Sequence, residues 1–383
     1  MDSGAGRGGG SNPKGDDNFQ LESGGYHHDS SNHHHHHRGT VKTITLVFVV
    51  VGVTCLVLNQ SAYPTQLFQS WSYSSSSSEE SRRGNDAAHL IMQNNVSSPL
   101  FKSSHEENSL ENTLKRAAMA DKKTVIITTL NAAWTEPNSI FDLFLESFRI
   151  GNQTQKLLKH VVVVAFDQKA YSRCLQLRLH CYALTTTGVD FSGEAFFMSQ
   201  DYLKMMWRRI DFLRTVLEMG YDFVFTDADV MWLRDPFQRF YPDADFQIAC
   251  DHYWYNSTDL NNSPNGGFNY VKSNNRTIQF YKFWYAGKDY FPGKHDQDVL
   301  NMIKLDPFIS QIGLDIRFLD TAYFGGFCEP SKDLDLVITM HANCCIGLGN
   351  KIHDIKMVID DWKNYISSLP TPTTSWTVPR ICG

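Results

Sequence analysis

Positive charge is the first thing this chain is short of. Across 383 residues, 35 Lys and Arg stand against 41 Asp and Glu, a formal net charge of −6. That balance argues against a nucleic-acid binder, which carries a basic patch or stripe. A phosphate-containing substrate stays open, provided a bound cation supplies the missing charge. Paired metal-ligand cysteines are also missing: none of the eight cysteines forms a Cys-x-x-Cys pair, and adjacent Cys344 and Cys345 cannot easily chelate one ion. Disulfides are therefore favoured over a zinc site, with connectivity that sequence leaves undetermined. Periodic apolar residues are scarce before about residue 110. Residues 1–42 hold Gly, Ser, Asn and His, including the tract at 33–37, and read as a solvated, disordered tail.

One long apolar run interrupts that polar start: residues 43–58, TITLVFVVVGVTCLVL. Its 16 residues are short beside the roughly 20 that a span needs, but uncharged residues after it extend it, giving an expected span at 43–60. Arg38 and Lys42 precede it, and no basic residue follows until Arg82 and Arg83. Basic residues stay cytosolic, so the tail is expected in the cytosol and the remainder in a lumen, with the run as a signal anchor. A cleaved signal peptide is disfavoured by the long leading tail and the lack of a clear cleavage site. Residues 61–110, with a serine run at 74–78, read as a flexible stem. Six Asn-x-Ser/Thr sequons, at Asn59, Asn95, Asn152, Asn256, Asn261 and Asn275, agree weakly with that topology, Pro264 making Asn261 the least suitable. Cys55 lies in the span. The other seven cysteines would meet an oxidising lumen, leaving one thiol over.

Beyond the stem the pattern changes. Residues 124–129 (TVIITT), 161–166 (VVVVAF) and 223–226 (FVFT) read as strands. Pro137 is expected to open a helix carrying Ile140, Phe141, Phe144, Leu145 and Phe148 on one face and ending at Gly151. A long helix is predicted over 201–219, where Leu203, Met206, Ile210, Leu213 and Leu217 repeat every three or four residues before Gly220. Alternating strands and helices imply an α/β domain over 111–368, with a mostly parallel sheet, and a short tail at 369–383. Ligands of such sheets sit beyond the C-terminal strand ends. Asp227-Ala228-Asp229 falls there, directly after FVFT. Residues two apart in extended chain face the same side, so both carboxylates can meet one point. Two acidic groups at the end of a buried strand are costly unless a cation joins them. Oxygen ligands suit Mn²⁺ or Mg²⁺, which would bridge a diphosphate.

The run TDADVMWLRDPF, with further spaced motifs across residues 115–365, resembles plant nucleotide-diphospho-sugar transferases of glycosyltransferase family 77. The resemblance implies a GT-A fold, a single-pass type II Golgi membrane protein, a UDP-sugar donor, and retention of anomeric configuration. It implies arabinose, xylose or galactose as the sugar, and a cell-wall polysaccharide or glycoprotein as acceptor. On the same basis Asp227, Asp229 and His341 would hold the metal. Asn265, Gly266 and Gly267 match a motif that contacts the donor sugar. Asp296 and Gln297 match the pair near the anomeric centre, and Lys351 a basic residue meeting the diphosphate. Asn131 fits a base or ribose contact, and Arg209 a donor contact. A homodimer through span or stem is left open.

Each of these residues also has a plainer reading. His341 suits a half-buried core histidine, Asn265-Gly266 a turn, Asp296 a helix cap, and Lys351 and Arg209 solvated positions. Trp232 and the cluster Tyr253, Trp254 and Tyr255 suit either core packing or an acceptor-sugar platform. Two other classes compete. A haloacid-dehalogenase-type phosphatase also places Asp-x-Asp after a strand, but normally after the first one of its core. A non-catalytic, lectin-like domain would bind a nucleotide sugar without turnover.

Overall fold

The computed structural model describes residues 109–368, apart from 121, 185, 187, 188, 195 and 196, together with residues 375–382. The expected tail, span and nearly all of the stem lie outside the described residues, as do Cys55, Asn59 and Asn95. Among the described residues no helix is long and apolar enough to cross a membrane.

Seven strands form the central sheet. In chain order they are β1 (Thr124–Leu130), β2 (Val161–Ala165), β3 (His180–Ala183), β4 (Asp222–Thr226), β6 (Phe246–His252), β7 (Ser263–Val271) and β8 (Ile316–Phe318). Their spatial order is β3-β2-β1-β4-β7-β6-β8. Neighbours run parallel except around β7, which is antiparallel to both β4 and β6. The sheet is thus mixed and mostly parallel, flanked by helices, as the α/β reading and the GT-A resemblance imply. All five residues of β2 are buried, as its unbroken valine run requires for a strand covered on both faces.

Alternate side chains divide the core between the faces. Ile126, Val161, Val163 and Val224 point to one side, and Val125, Ile127, Val162, Val164, Phe223 and Phe225 to the other. The first face is covered by two helices, Ile140–Ile150 and Leu348–Ser367, and by a small second sheet. The second face takes the long helix Gln200–Glu218 and the helices Asn275–Tyr290 and Asp296–Ile303. In chain order the helices are α1 (Leu110–Ala117), α2 (Ala132–Thr135), α3 (Ile140–Ile150), α4 (Gln168–Gln176), α5 (Gln200–Glu218), α6 (Asn275–Tyr290), α7 (Asp296–Ile303), α8 (Pro307–Gln311) and α9 (Leu348–Ser367).

Helix α3 begins three residues after the Pro137 start that sequence suggests. Asn138 has φ of 63°, in the left-handed region, which breaks the helical path there. Its N–H donates to Asp142 Oδ2 at 2.8 Å. Gly151 ends the helix as expected, for a steric reason. A Cβ there would meet Thr154 Oγ1 at 2.4 Å and the Trp232 carbonyl at 2.5 Å.

The small sheet has the order β5-β10-β9, from Val230–Trp232, Thr339–His341 and Phe324–Gly326. Antiparallel pairing of β5 with β10 sets His341 opposite Val230, one residue past Asp229. Because β7 runs against β4, its first half lies at the same sheet edge as the end of β4, with Phe268 opposite Thr226. One edge therefore gathers Asp227, Asp229, Asn265 and His341 from distant parts of the sequence.

Among the described residues there are three disulfides: Cys174–Cys181, Cys328–Cys344 and Cys345–Cys382. Adjacent Cys344 and Cys345 join different partners, which rules out their sharing one ion. Cys250 is the thiol left over; it is buried, and burial pushes its pKa well above the thiol range. Residues 375–382 pack back onto the domain through Cys382 and through Asp354, which accepts hydrogen bonds from the N–H groups of Arg380, Ile381 and Cys382 at 2.8–3.0 Å.

Candidate active site

Asp227, Asp229 and His341 form the one cluster among the described residues with the ligand types and spacing for a metal ion. One ligand atom from each lies within 4.8 Å of the others. The pair follows β4 in a turn and not in extended chain as its spacing suggested. The strand ends at Thr226, and Val230 N–H closes back on the Asp227 carbonyl at 3.2 Å, which brings the two carboxylates together at the open sheet edge. There Asp227 N–H donates to the Gly267 carbonyl at 2.7 Å. Asp229 is 1% exposed. Its Oδ2 lies 2.5 Å from Lys351 Nζ, and its Oδ1 is 3.2 Å from His341 Nε2 without a hydrogen bond of acceptable geometry. A buried carboxylate oxygen without a hydrogen-bond donor is costly, and an imidazole nitrogen facing it shares its capacity to ligate.

Gly267 supplies the space. A Cβ there would sit 2.5 Å from His341 Cε1 and 2.7 Å from Asp227 Oδ2, so any side chain would push the cluster apart. Two carboxylates, one of them with an oxygen left unpartnered, and one imidazole fit a divalent cation. Burial raises the Asp227 carboxyl pKa; Arg209 opposes this, and the negative charge of Asp229 adds to the rise. Burial also works against ionised Asp229, but Lys351 and His341 hold its carboxyl far below the usual range. Both directions follow from burial and from which cation each residue faces.

Arg209 corrects the solvated reading. It is 5% exposed on α5, with Nη1 3.0 Å from Asp227 Oδ1 and Nη2 2.5 Å from Asp296 Oδ2. It also lies 4.8 Å over the Phe225 ring. Burial alone would lower its pKa, but the two carboxylates keep it firmly charged. Asp296 is 1% exposed. Burial would raise its pKa, yet Arg209 and then His295 hold it far below the ordinary value. It is not the cap of α7. His295 takes that position and accepts from the Gln297 N–H at 3.2 Å. Lys351 is not solvated either: it is bound to Asp229 and donates to the Ala342 carbonyl at 2.8 Å.

Asn265, Gly266 and Gly267 lie inside strand β7, not in a turn. The β6–β7 register is irregular there, which frees local N–H groups for side chains. Gly267 N–H donates to Asn265 Oδ1 and Gly266 N–H to Gln297 Oε1, both at 2.9 Å. A Cβ on Gly266 would approach Arg209, Asp296 and Gln297 at 3.7–3.9 Å, so this glycine faces the same hollow.

Asp251, at the end of β6, was missed from sequence. Its Oδ1 accepts from Asn265 Nδ2 and Asn343 Nδ2, both at 2.8 Å, and its Oδ2 from Gln297 Nε2 at 2.9 Å. The signal was present: Asp251 follows the buried run Phe246–Cys250 just as Asp227 follows Phe223–Thr226.

Asn131, after β1, has its amide nitrogen engaged. It donates to the carbonyls of Phe191 and Gly193 at 3.0 and 2.8 Å, pinning that loop. Its Oδ1 is buried without a partner. Trp232 belongs to the core: it is fully buried and stacks on Phe148 with centroids 4.6 Å apart. Tyr253 is buried as well, while Trp254 and Tyr255 are 58% and 93% exposed.

The site thus sets acidic, imidazole and cationic groups at the carboxyl edge of a mixed α/β sheet, the arrangement of an enzyme handling a phosphorylated sugar donor. The chain belongs to the nucleotide-diphospho-sugar transferase family, whose signature matches residues 156–355. An uncharacterized Arabidopsis thaliana protein is 53% identical over 284 residues, 73% of this chain and 75% of its own length. A UDP-D-xylose:L-fucose alpha-1,3-D-xylosyltransferase of the same plant is 32% identical over 155 residues, covering 39% of this chain and 40% of that protein. Among solved structures, mouse xyloside xylosyltransferase 1 in its apo form aligns at 14% identity and TM-score 0.36, over 58% of this chain and 98% of that one. The chain is accordingly a glycosyltransferase of a nucleotide-sugar-using family. The phosphatase alternative falls with that membership, and with the place of Asp227 after the fourth strand of the sheet.

Proposed function

We propose that this chain transfers arabinose, xylose or galactose from a UDP-sugar, with retention, to a cell-wall polysaccharide or glycoprotein acceptor. Mn²⁺ or Mg²⁺ is the cofactor, and the Golgi lumen is the place of action. The observation that carries the reading is the buried Asp227–Asp229–His341 cluster, with its orphaned Asp229 oxygen, among groups from the donor-sugar motifs. Family membership supports the nucleotide-sugar donor. The xylosyltransferase relatives support a pentose among the candidates. The three disulfides and the basic residues before the apolar run at 43–58 support a luminal domain.

Asp227, Asp229 and His341 would hold the ion, which supplies charge neutralisation for the departing nucleotide diphosphate. Lys351 adds a second positive charge beside the same phosphates. Three carboxylates, Asp227, Asp229 and Asp296, face only two side-chain cations, Arg209 and Lys351, so the site favours further positive charge. Arg209 locks Asp296 in one orientation. A carboxylate so tightly paired is a poor nucleophile, and Asp296 is assigned to orient the sugar and stabilise positive charge at the anomeric carbon. Asn265 and Gln297 flank it with amide groups of fixed orientation. The unpartnered Asn131 Oδ1 suits the N–H of a pyrimidine base. The exposed pair Trp254 and Tyr255 suits the face of an acceptor sugar.

The test is nucleotide release from a panel of UDP-sugars, using the purified full-length chain with Mn²⁺. Metal-dependent release from one donor, lost in Asp227→Ala, is the expected result. Release that ignores chelator would overturn the metal-dependent reading. Nucleotide-sugar binding without turnover on any donor would favour the lectin-like alternative.

A further inference from the structure

Asp251 is a charged group at the centre of the site to which neither the sequence motifs nor the proposed chemistry assigns a task. Its carboxylate accepts hydrogen bonds from three side-chain amides on three separate segments. Asn265 comes from β7, Gln297 from the first turn of α7, and Asn343 from the loop two residues past His341. The sulfur of Cys328 lies 3.3 Å from the same Oδ1; it is disulfide-bonded to Cys344 and has no proton to donate, so this is a packing contact.

An ionised carboxylate can only accept, and an amide has one donating and one accepting end. Asp251 therefore decides which end of each amide faces it. The opposite ends are fixed by backbone. Asn265 Oδ1 accepts from Gly267 N–H, Gln297 Oε1 from Gly266 N–H, and Asn343 Oδ1 from Cys328 N–H at 3.2 Å. Flipping any one amide would set N–H against N–H on one side and oxygen against carboxylate on the other. Each amide keeps one N–H and one lone pair unspent, and their directions follow from the same choice. The Cβ position of Gly266 lies 3.7–3.9 Å from Arg209, Asp296 and Gln297 Oε1, and that of Gly267 lies 3.0 Å from Asn265 Oδ1 and closer still to His341 and Asp227, so the amides of Gln297 and Asn265 both border the site.

We propose that Asp251 is a positioning residue for sugar transfer, acting through Asn265 and Gln297 by fixing the orientation of their amides toward the donor sugar. The Asn343 contact extends the same control to the loop that follows His341. This rests on the glycosyltransferase reading above. Asp251 itself bonds to Asn265, Gln297 and Asn343 and to none of Asp227, Asp229 and His341, so its effect is expected on the sugar before the metal or the nucleotide.

Asp251→Asn keeps the shape but puts a donor where only acceptors stood, so at least one amide must turn. With the full-length chain and the donor identified by the panel, kcat falls about 10²-fold, the scale of a small misplacement of reacting groups. Affinity for Mn²⁺·UDP, read by calorimetry, is unchanged, and Tm shifts by less than about 3 °C. The preference for the UDP-sugar over UDP alone, taken from the two dissociation constants, is lost. A cycle with Gln297→Ala supplies the second readout: added to that background, Asp251→Asn costs only a small further factor, because it acts through the group already removed. Full additivity in the cycle, or unchanged kcat and sugar preference in Asp251→Asn, would overturn the proposal. Weakened Mn²⁺·UDP binding together with a large loss of Tm would also overturn it, as a purely structural role. Failure of the wild-type chain to bind Mn²⁺·UDP sinks the glycosyltransferase reading instead, which keeps the two failures apart.

Discussion

Asp354 and Asp229 are both buried carboxylates, 0% and 1% exposed, and their surroundings could hardly differ more. Asp354 on α9 is surrounded by donors: three backbone N–H groups of the C-terminal segment and His353 Nδ1 at 2.8 Å. Every oxygen is satisfied locally, so it works as a clamp, holding residues 380–382 beside the Cys345–Cys382 disulfide. Asp229 has one oxygen on Lys351 and the other 3.2 Å from His341 Nε2 at an angle too poor for a good hydrogen bond. It faces a second acid and an imidazole, and a glycine keeps the space between them clear. A fully satisfied buried charge holds structure together. An unsatisfied one at an open sheet edge awaits a ligand.

The largest effect that breaks this contrast is expected at the unsatisfied site. Gly267→Ala places a methyl within 2.7 Å of both His341 and Asp227, and Mn²⁺ affinity should fall about 10–100-fold, the range seen when metal ligands lose their support. Metal titration followed by calorimetry reads it; unchanged affinity would mean the glycine is not holding space for the cluster. Asp354→Ala should do the reverse. Losing several charge-assisted hydrogen bonds costs about 3 kcal/mol, on the order of 5–10 °C in Tm, while metal affinity and donor turnover stay near wild type. A thermal melt beside a turnover assay distinguishes the two classes, and equal losses of activity in both variants would erase the comparison.

A smaller, pH-dependent effect sharpens it. Burial pushes the Asp354 carboxyl up, but the N–H groups of Arg380 and Cys382, then His353 and Ile381, bring it down to about 2. The unfolded value is about 3.9. A depressed folded pKa means the unfolded state binds more protons in that interval, so the stabilisation is complete above about pH 4 and is lost as pH falls through about 2. Amide exchange of residues 380–382 should accelerate across that window, and Asp354→Ala should lose the dependence.

The site was legible where chemistry followed a strong local pattern. Asp227 and Asp229 stood out because an unbroken apolar strand delivers them to a sheet edge, and two glycines marked helix ends, Gly220 by its φ of 81° and Gly151 by leaving no room for a Cβ. What sequence hid was long-range pairing. Nothing near Arg209 indicates that it lies between Asp227 and Asp296, 18 and 87 residues away, and its helical setting suggested solvent. Asp251 shares the strand-end position of Asp227, but without a second acid two residues on it carried no motif. For Trp232 sequence left core packing and a sugar platform both open; the core reading holds, and what decides it is the pairing of β5 with β10, more than a hundred residues later. The start of α3 was misplaced because a left-handed Asn138 is not visible from a proline alone.

The most direct test of the account is calorimetric titration of UDP into the full-length chain, with and without Mn²⁺, for wild type and Asp229→Asn. The account predicts binding by the wild type only when Mn²⁺ is present, and none by the variant, with its Tm close to wild type. Equal UDP binding in chelator, or an Asp229→Asn protein that binds Mn²⁺·UDP as tightly as wild type, would contradict it.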